Sequence, residues 1–342
     1  MEQKQNSVKP AQGKLGILVV GNGAVATTFM TGVLMTRKGL TKPNLGKTRN
    51  TGIELSVGGD IIRKKKFSWN STLNISFVSN KVLELADDII SGSNITTEGY
   101  SLAQLYTYPT DGIDPQTGRR VVLIKRADGG YDRQLLIYKY GQGGAQIYEM
   151  DGETKSKYTL SDWKPEISGN TKPTYYGGWS NTIHYKNWDV NLNFHFSGGN
   201  NILNSMRATL SDGRMWSGCK EWYDNIWQQP GDHAKYAKAS YNDNYSNGTA
   251  NPISDLIENG DFIRLQSLAI SYNFKTRRWP KALGITSFRL YAQAQNLFCI
   301  TGYSGFDPEI NSYYNDANLR SGIDSNTTPL TRTISFGANI SF

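Results

Sequence analysis

Beyond Asn44, polar and apolar residues alternate with a period of two in several segments. Between Phe67 and Phe77 one set holds Phe67, Trp69, Ser71, Leu73, Ile75 and Phe77, and the other Ser68, Asn70, Thr72, Asn74 and Ser76. Trp188, Val190, Leu192, Phe194 and Phe196 likewise oppose Asp189, Asn191, Asn193, His195 and Ser197. Phe288, Leu290, Ala292 and Ala294 oppose Arg289, Tyr291, Gln293 and Gln295. At the terminus Ile334, Phe336, Ala338, Ile340 and Phe342 oppose Ser335, Gly337, Asn339 and Ser341. Side chains leave a strand on alternate sides, so each run has one apolar and one polar face. Such runs predict about eight strands, near residues 52–59, 67–79, 100–108, 174–186, 187–198, 261–274, 286–298 and 331–342.

A half-buried sheet in a soluble sandwich would alternate in the same way. Length tilts the balance, because these runs exceed the usual 5–6 residues and approach the roughly 9–11 of a tilted membrane-crossing strand. Trp163, Tyr175, Tyr176, Trp179, Tyr185, Trp188 and Trp279 gather near strand ends, as an interfacial aromatic girdle would. Tyr185–Trp188 and Lys275–Gly284 are short connections, whereas Asn200–Gly260 is long, rich in Asn, Gly, Trp and Tyr, and free of alternation. Short turns at one end and long loops at the other are a barrel's signature. The expected fold is all-β: an antiparallel transmembrane β-barrel segment with long extracellular loops. A sheet of this strand number is expected as an incomplete barrel or a curved open sheet.

The segment before Asn44 has another texture. Leu15–Thr36 carries no charge and is flanked by Lys14 and Arg37. A bilayer span and a signal sequence are two readings of it; a strand, a glycine turn and a helix start fit better. Leu15–Val20 is apolar and β-branched, Gly21-Asn22-Gly23 breaks it, and Ala24–Met35 continues without proline. Such a turn aims backbone N–H groups at a phosphate. Val8-Lys9-Pro10, Gly16–Gly21, Gly23–Thr28, Arg37–Leu40 and Lys42-Pro43 resemble the N-terminus of bacterial myo-inositol-1-phosphate synthase, an NAD-dependent enzyme. That family has one more glycine where Asn22 stands, and the acidic ribose-binding residue and catalytic lysines have no counterpart here. Residues 1–43 are therefore read as an orphan βα leader resembling a truncated dinucleotide-binding unit, and residues 44–342 as the barrel portion. The Pro43/Asn44 junction is expected to join two unrelated coding segments.

Composition narrows the function classes. Charged residues are 19% of the 342, while Tyr numbers 20, Phe 12, Trp 8 and Gly 35. Polarity thus rests on neutral groups, which argues against a disordered polyelectrolyte and a helical bundle. The net charge of +8 raises nucleic-acid binding. However, Arg63–Lys66, Arg119-Arg120 and Arg277-Arg278 sit where hairpin ends fall and are read as solvated turns. Cys219 and Cys299 make no redox or zinc motif. His184, His195 and His233 have no carboxylate partner legible in the sequence. Asp307-Pro308-Glu309 and Asp111–Asp114 raise calcium, but their spacing fits turns whose Asp side chains bond their own backbone. No catalytic residue, cofactor or metal ligand is expected, and no ligand-binding residue is assigned. Trp216, Trp222, Tyr223, Trp227, Tyr241 and Tyr245 suit either sugar stacking or mutual packing.

A family resemblance joins these pieces. Asn44–Leu55, Phe67–Asn70, Glu98–Leu102, Asp111–Gly118, Lys172–Thr182, Ile257–Leu265, Gln295–Phe298, Gly305–Glu309 and Arg332–Gly337 resemble, in order, the C-terminal part of SusC/RagA-type TonB-dependent outer-membrane transporters of Bacteroidetes. Phe342, ending an alternating strand, resembles the signal read by the barrel-assembly machinery. The resemblance implies uptake of a glycan or peptide nutrient across the outer membrane, a SusD-like surface lipoprotein, the TonB system, and a parent barrel of about 22 strands around a plug. No signal peptide, plug or TonB box is recognised here, so neither export nor transport by this form alone is expected. The alternatives are a soluble glycan-binding β domain and, least favoured, an NAD-dependent inositol-phosphate synthase remnant.

Overall fold

Seven long antiparallel strands follow one another across a single sheet in the computed structural model, which describes residues 46–212, 218–275, 284–309, 311–313 and 318–342. The expectations placed on residues 1–43, Trp216, Arg277-Arg278 and Trp279 lie outside the described residues. The strands are β1 (Gly46–Lys64), β2 (Phe67–Leu85), β3 (Tyr175–Tyr185), β4 (Trp188–Gly198), β5 (Phe262–Phe274), β6 (Ser287–Gln295) and β7 (Thr333–Ser341). Each pairs with its neighbours in chain order, and Cys299–Thr301 pairs with β5 beyond the end of β6. Among the described residues β1 and β7 are edges, so the sheet is open, one of the two forms the alternation predicted.

Register turns the alternation of each strand into two continuous surfaces. Val57, Leu73, Trp179 and Phe194 form one cross-strand row, and Val190, Ile270, Ala292 and Phe336 another. These apolar rows face outward without a covering layer: Ile53 is 73% exposed and Phe336 81%. Asp60, Asn70, Thr182 and Asn191 make a row on the opposite face. There Asn70 donates to Asp60 at 3.1 Å, Thr182 to Asn191 at 3.0 Å, and Asn193 to Ser267 at 2.9 Å. A soluble sandwich would hide the first surface and wet the second.

The two ends of the sheet differ. Lys65-Lys66 closes the β1–β2 hairpin and Lys186-Asn187 the β3–β4 hairpin. The Lys186 N–H donates to Lys66 at 2.9 Å and the Asn273 N–H to Asn187 at 2.8 Å, stitching neighbouring turns together. An aromatic chain crosses this end: Phe67 on Tyr185, Trp188 on Tyr272, Tyr272 on Phe274, and Phe274 on Phe288, with centroids 4.8–6.4 Å apart. Tyr185 and Trp188 were expected in this girdle. Trp163 was too, but it is 1% exposed elsewhere, its indole N–H donating to Pro109 at 2.9 Å.

The long connections 86–174, 199–261 and 296–332 leave the opposite end and fold together as a cap. One four-stranded sheet orders Glu166–Gly169, Gln104–Thr107, Asn94–Thr96 and Ile89–Ser91. A second runs through Thr110–Ile113, Arg120–Lys125, Tyr131–Lys139 and Gly144–Tyr148. A third unites Ile257–Asn259, Asn201–Asn204 and Ile323–Asp324. The cap has its own dry core, in which Leu105, Val122, Leu136 and Trp163 from the first connection meet Leu203, Ile253 and Leu256 from the second and Ile323 from the third.

Three expectations change here. The run near 100–108 is no wall strand: Gln104–Thr107 belongs to the cap, and Leu105 enters its core. The stretch Asn200–Gly260 is not structureless: it holds Asn201–Asn204, helices Ser205–Leu210 and Lys220–Asn225, and Ile257–Asn259. These elements are too short to show a period, and their partners lie in other connections. Arg120 is no solvated turn residue. It is 2% exposed, donates to Ser246 at 2.7 Å and is ion-paired with Asp255.

The division between wall and cap predicts opposite responses to truncation. Leu136→Ala should cost about 2–5 kcal/mol in chemical denaturation of the detergent-held chain. Ile53→Ala, on the outward face where little protein packs against it, leaves no cavity and should cost less, below about 2 kcal/mol.

Candidate functional site

A polar recess opens where the inward face of β1–β4 meets the cap. Its divider is the strap Asn170–Thr174, which leads from the cap into β3. The Asn170 side chain accepts from Ser101 at 2.6 Å and donates to the Lys172 carbonyl at 2.7 Å. Thr171 donates to Ala103 at 2.8 Å, and Pro173 fixes the backbone before the strand. The Thr174 N–H donates to Gly198 at 2.9 Å, and its carbonyl accepts from Val78 at 2.8 Å. So held, Lys172 and Tyr176 line two adjoining hollows. One, of about 810 Å³, is walled by Asn50, Glu54, Asn80, Ser101 and Asn170. The other, of about 350 Å³, is walled by His195, Phe262, Glu309 and Asn311. Burial pushes the Lys172 ammonium below its ordinary pKa. The lining offers mainly neutral amides and hydroxyls, suited to a ligand with many hydrogen-bonding groups.

A buried ionic clamp closes the second hollow. Arg264 of β5 donates to Asp307 at 2.5 Å and to Glu309 at 2.9 Å. Asp307 also accepts the Glu309 N–H at 3.0 Å, the self-bonded turn expected from Asp-Pro-Glu. Asp114 behaves likewise, accepting from the Thr117 N–H at 2.8 Å and hydroxyl at 2.6 Å. His195 Nδ1 lies 3.3 Å from Glu309, and His184 Nδ1 lies 2.5 Å from Asp189. Both histidines therefore have the carboxylate partner that the sequence did not reveal. His184 and Asp189 face each other across the β3–β4 turn, a spacing legible once that hairpin is placed. His195 and Glu309 lie far apart in sequence. Arg264 bonds Glu309, and Asn273 donates to Asp189 at 2.6 Å, so each carboxylate is tied into the wall.

Among the described loop aromatics, some pack and some stay open. The Trp227 indole N–H donates to Pro115 at 2.8 Å, with its ring against Gly118, whose φ of +68° suits glycine. Tyr245 stacks on Tyr138 at 6.5 Å, and Tyr241 meets Tyr140 edge-on at 4.9 Å. Tyr223 is exposed, and the Trp222 indole nitrogen is buried. Packing is thus the role of Trp227 and Tyr245, while Tyr223 and Tyr241 stay exposed. Cys219 and Cys299 are free thiols.

Below the recess the cap carries a second polar network. Arg207 bonds Glu258 at 2.7 Å, and the Tyr303 hydroxyl donates to Asp324 at 2.7 Å. Burial, helped by Asp324, pushes the Tyr303 phenol far above its ordinary value. This raised pKa contributes cap stability that is fully present below the unfolded value of about pH 10 and is lost as pH rises beyond it. In an absorbance titration of tyrosinate, Tyr303→Phe should remove a component that ionises only as the cap unfolds. Loss of an ordinary component near pH 10 instead would contradict the buried bond.

No family model matches the chain. It is 29% identical over 315 residues to TonB-dependent receptor P3 of Formosa agariphila, which covers 87% of this chain and 29% of that receptor. It is 22% identical over 302 residues to TonB-dependent receptor SusC of Bacteroides thetaiotaomicron, covering 87% and 27%. The chain thus spans about 30% of the length of the curated relatives it matches. A short segment is 60% identical over 40 residues to inositol-3-phosphate synthase 1 of Bacteroides thetaiotaomicron, 11% of this chain and 9% of that enzyme. Among solved structures, the RagAB peptide transporter superposes with a TM-score of 0.65 at 21% identity, over 87% of this chain and 30% of the transporter chain. Across 87% of its length, then, the chain is similar in sequence to proteins named TonB-dependent receptors, SusC among them, and its open sheet has the fold of a stretch of the RagAB transporter chain.

Proposed function

We propose that residues 44–342 are the C-terminal part of the barrel wall and cap of an outer-membrane, TonB-dependent importer of glycans or peptides. The observation that carries this is the pair of continuous surfaces on β1–β7, one apolar and uncovered, the other polar and cross-bonded. Lipid suits the first and a watery lumen the second. The recess around Lys172 and Tyr176 is the nutrient-facing part of that lumen. Its amides and hydroxyls match the repeated donors and acceptors of a peptide backbone or a glycan. In this reading a SusD-like lipoprotein closes the cap from outside, TonB supplies the energy, and the strand ending at Phe342 is read by the barrel-assembly machinery. Residues 1–43 are a separate leader, supported by their likeness to a synthase rather than a receptor. The role is not enzymatic, in keeping with receptor relatives across most of the chain.

Expressed behind an export signal, the chain should sediment with outer membranes and run with heat-modifiable mobility. A detergent-free soluble monomer would overturn the proposal. Within the membrane-held chain, Leu73→Arg on the lipid side should cost about 2–4 kcal/mol. Asn74→Arg, one residue along and facing the lumen, should cost far less. Equal costs at both positions would contradict the assignment of faces.

A further inference from the structure

The apolar surface of the wall is not smooth. At the short-turn end an apolar groove of about 420 Å³ runs over β4–β7, lined by Trp188, Ile270, Tyr272, Leu290, Ala292 and Phe336. That volume falls within the roughly 300–1,000 Å³ of ligand pockets. Register explains its shape. Ala292 lies between Ile270 and Phe336 in one row, while the adjacent row holds Trp188, Tyr272, Leu290 and Ala338. The small Ala292 and Ala338 leave a trough between the Trp188–Tyr272 aromatic pair and the protruding Phe336 ring.

Charge marks one end of the trough. Lys186 follows Tyr185, with its ammonium 5.0 Å from the centre of that ring, and Lys275 follows Phe274, so both exposed lysines lie at the short-turn end next to the aromatic rim. The Asn273–Asn187 backbone bond holds the end of β5 against the β3–β4 turn. Lys64, Lys65 and Lys66 extend the cationic edge along the next turn. The acids described nearby are engaged: Asp60 is 3.6 Å from Arg63, and Asp189 bonds His184 on the polar face. An apolar trough ending in lysines that have no carboxylate partner among the described residues is complementary to one molecular shape, an acyl chain joined to an anionic head.

We propose that this groove binds one anionic phospholipid, its acyl chain along Ala292 and its phosphate between Lys186 and Lys275. The inference rests on the membrane reading above and goes beyond it by naming a specific site among otherwise interchangeable lipid contacts. A bulk lipid neighbour would show no preference for head group and no sensitivity to filling the trough.

The test inserts the full chain into vesicles of equal phosphatidylcholine and phosphatidylglycerol. Flotation scores insertion, and native mass spectrometry after mild detergent extraction counts the lipid retained. The floated chain should retain one phosphatidylglycerol, enriched about tenfold over phosphatidylcholine by two nearby lysines. Ala292→Phe should abolish retention, whereas Lys186→Gln with Lys275→Gln should keep a lipid but erase its selectivity. A floated chain with no head-group preference, or one whose retention survives Ala292→Phe, would overturn the site while leaving the membrane reading intact. A floated chain that retains neither lipid would overturn the site alone, and a chain that does not float would overturn the membrane reading and this site with it.

Discussion

Hydrocarbon cannot hydrogen-bond, and in the proposed reading this constraint organises the wall. Every backbone N–H and C=O inside a bilayer must find a partner within the protein. A sheet meets that demand between paired strands while leaving alternate side chains to face lipid and water, and the outer edges of β1 and β7, open among the described residues, would be satisfied only by neighbouring strands of a closed barrel. Seven strands in simple succession hold their registers so that alternation within each becomes a surface across all. Because the period is two, a one-residue slip in any strand would turn its apolar residues into the lumen and its amides into lipid. The cross-strand bonds of Asp60, Asn70, Thr182, Asn191 and Asn193 tie the polar side within this registry.

The same constraint explains why the cap needs a core of its own. A wall that turns its apolar rows outward has few apolar residues, such as Val82, Phe262 and Leu265, left to anchor the connections above it. Leu105, Leu136, Trp163, Leu203 and Ile323 supply that core from three separate connections. The ion pairs of Arg120 with Asp255 and Arg264 with Asp307 then join segments distant in sequence. Breaking a buried pair by removing one partner leaves an uncompensated charge, so these pairs act as intolerant fasteners. The strap Asn170–Thr174 crosses from cap to wall, which places Lys172 and Tyr176 where the two meet.

The wall was legible in the sequence because strand alternation is a local signal repeated over long runs. Seven of its strands, the hairpin turn at Lys186-Asn187 and the girdle residues Tyr185 and Trp188 follow from it. The cap was not legible, for a physical reason. Strands such as Asn94–Thr96 and Asn201–Asn204 are too short to display a period, and their burial depends on partners from other connections. Trp163 was misplaced because an aromatic near a strand end looks alike whether it meets lipid or a dry core. Arg120 was misplaced because a paired arginine resembles a turn residue until Asp255 is brought beside it. The recess shares this difficulty: Lys172 and Tyr176 fall in a stretch that carries the family resemblance, but their convergence with His195 arises only through the strap and the registry.

The most direct test of the two-surface account is a nitroxide scan from Phe67 to Phe77 in the vesicle-inserted chain, comparing collision with oxygen against a water-soluble nickel complex. The account predicts a period of two, with Leu73, Ile75 and Phe77 accessible to oxygen and Thr72, Asn74 and Ser76 to nickel. Equal accessibility at successive positions, or protection of Leu73, Ile75 and Phe77 from both reagents, would contradict it.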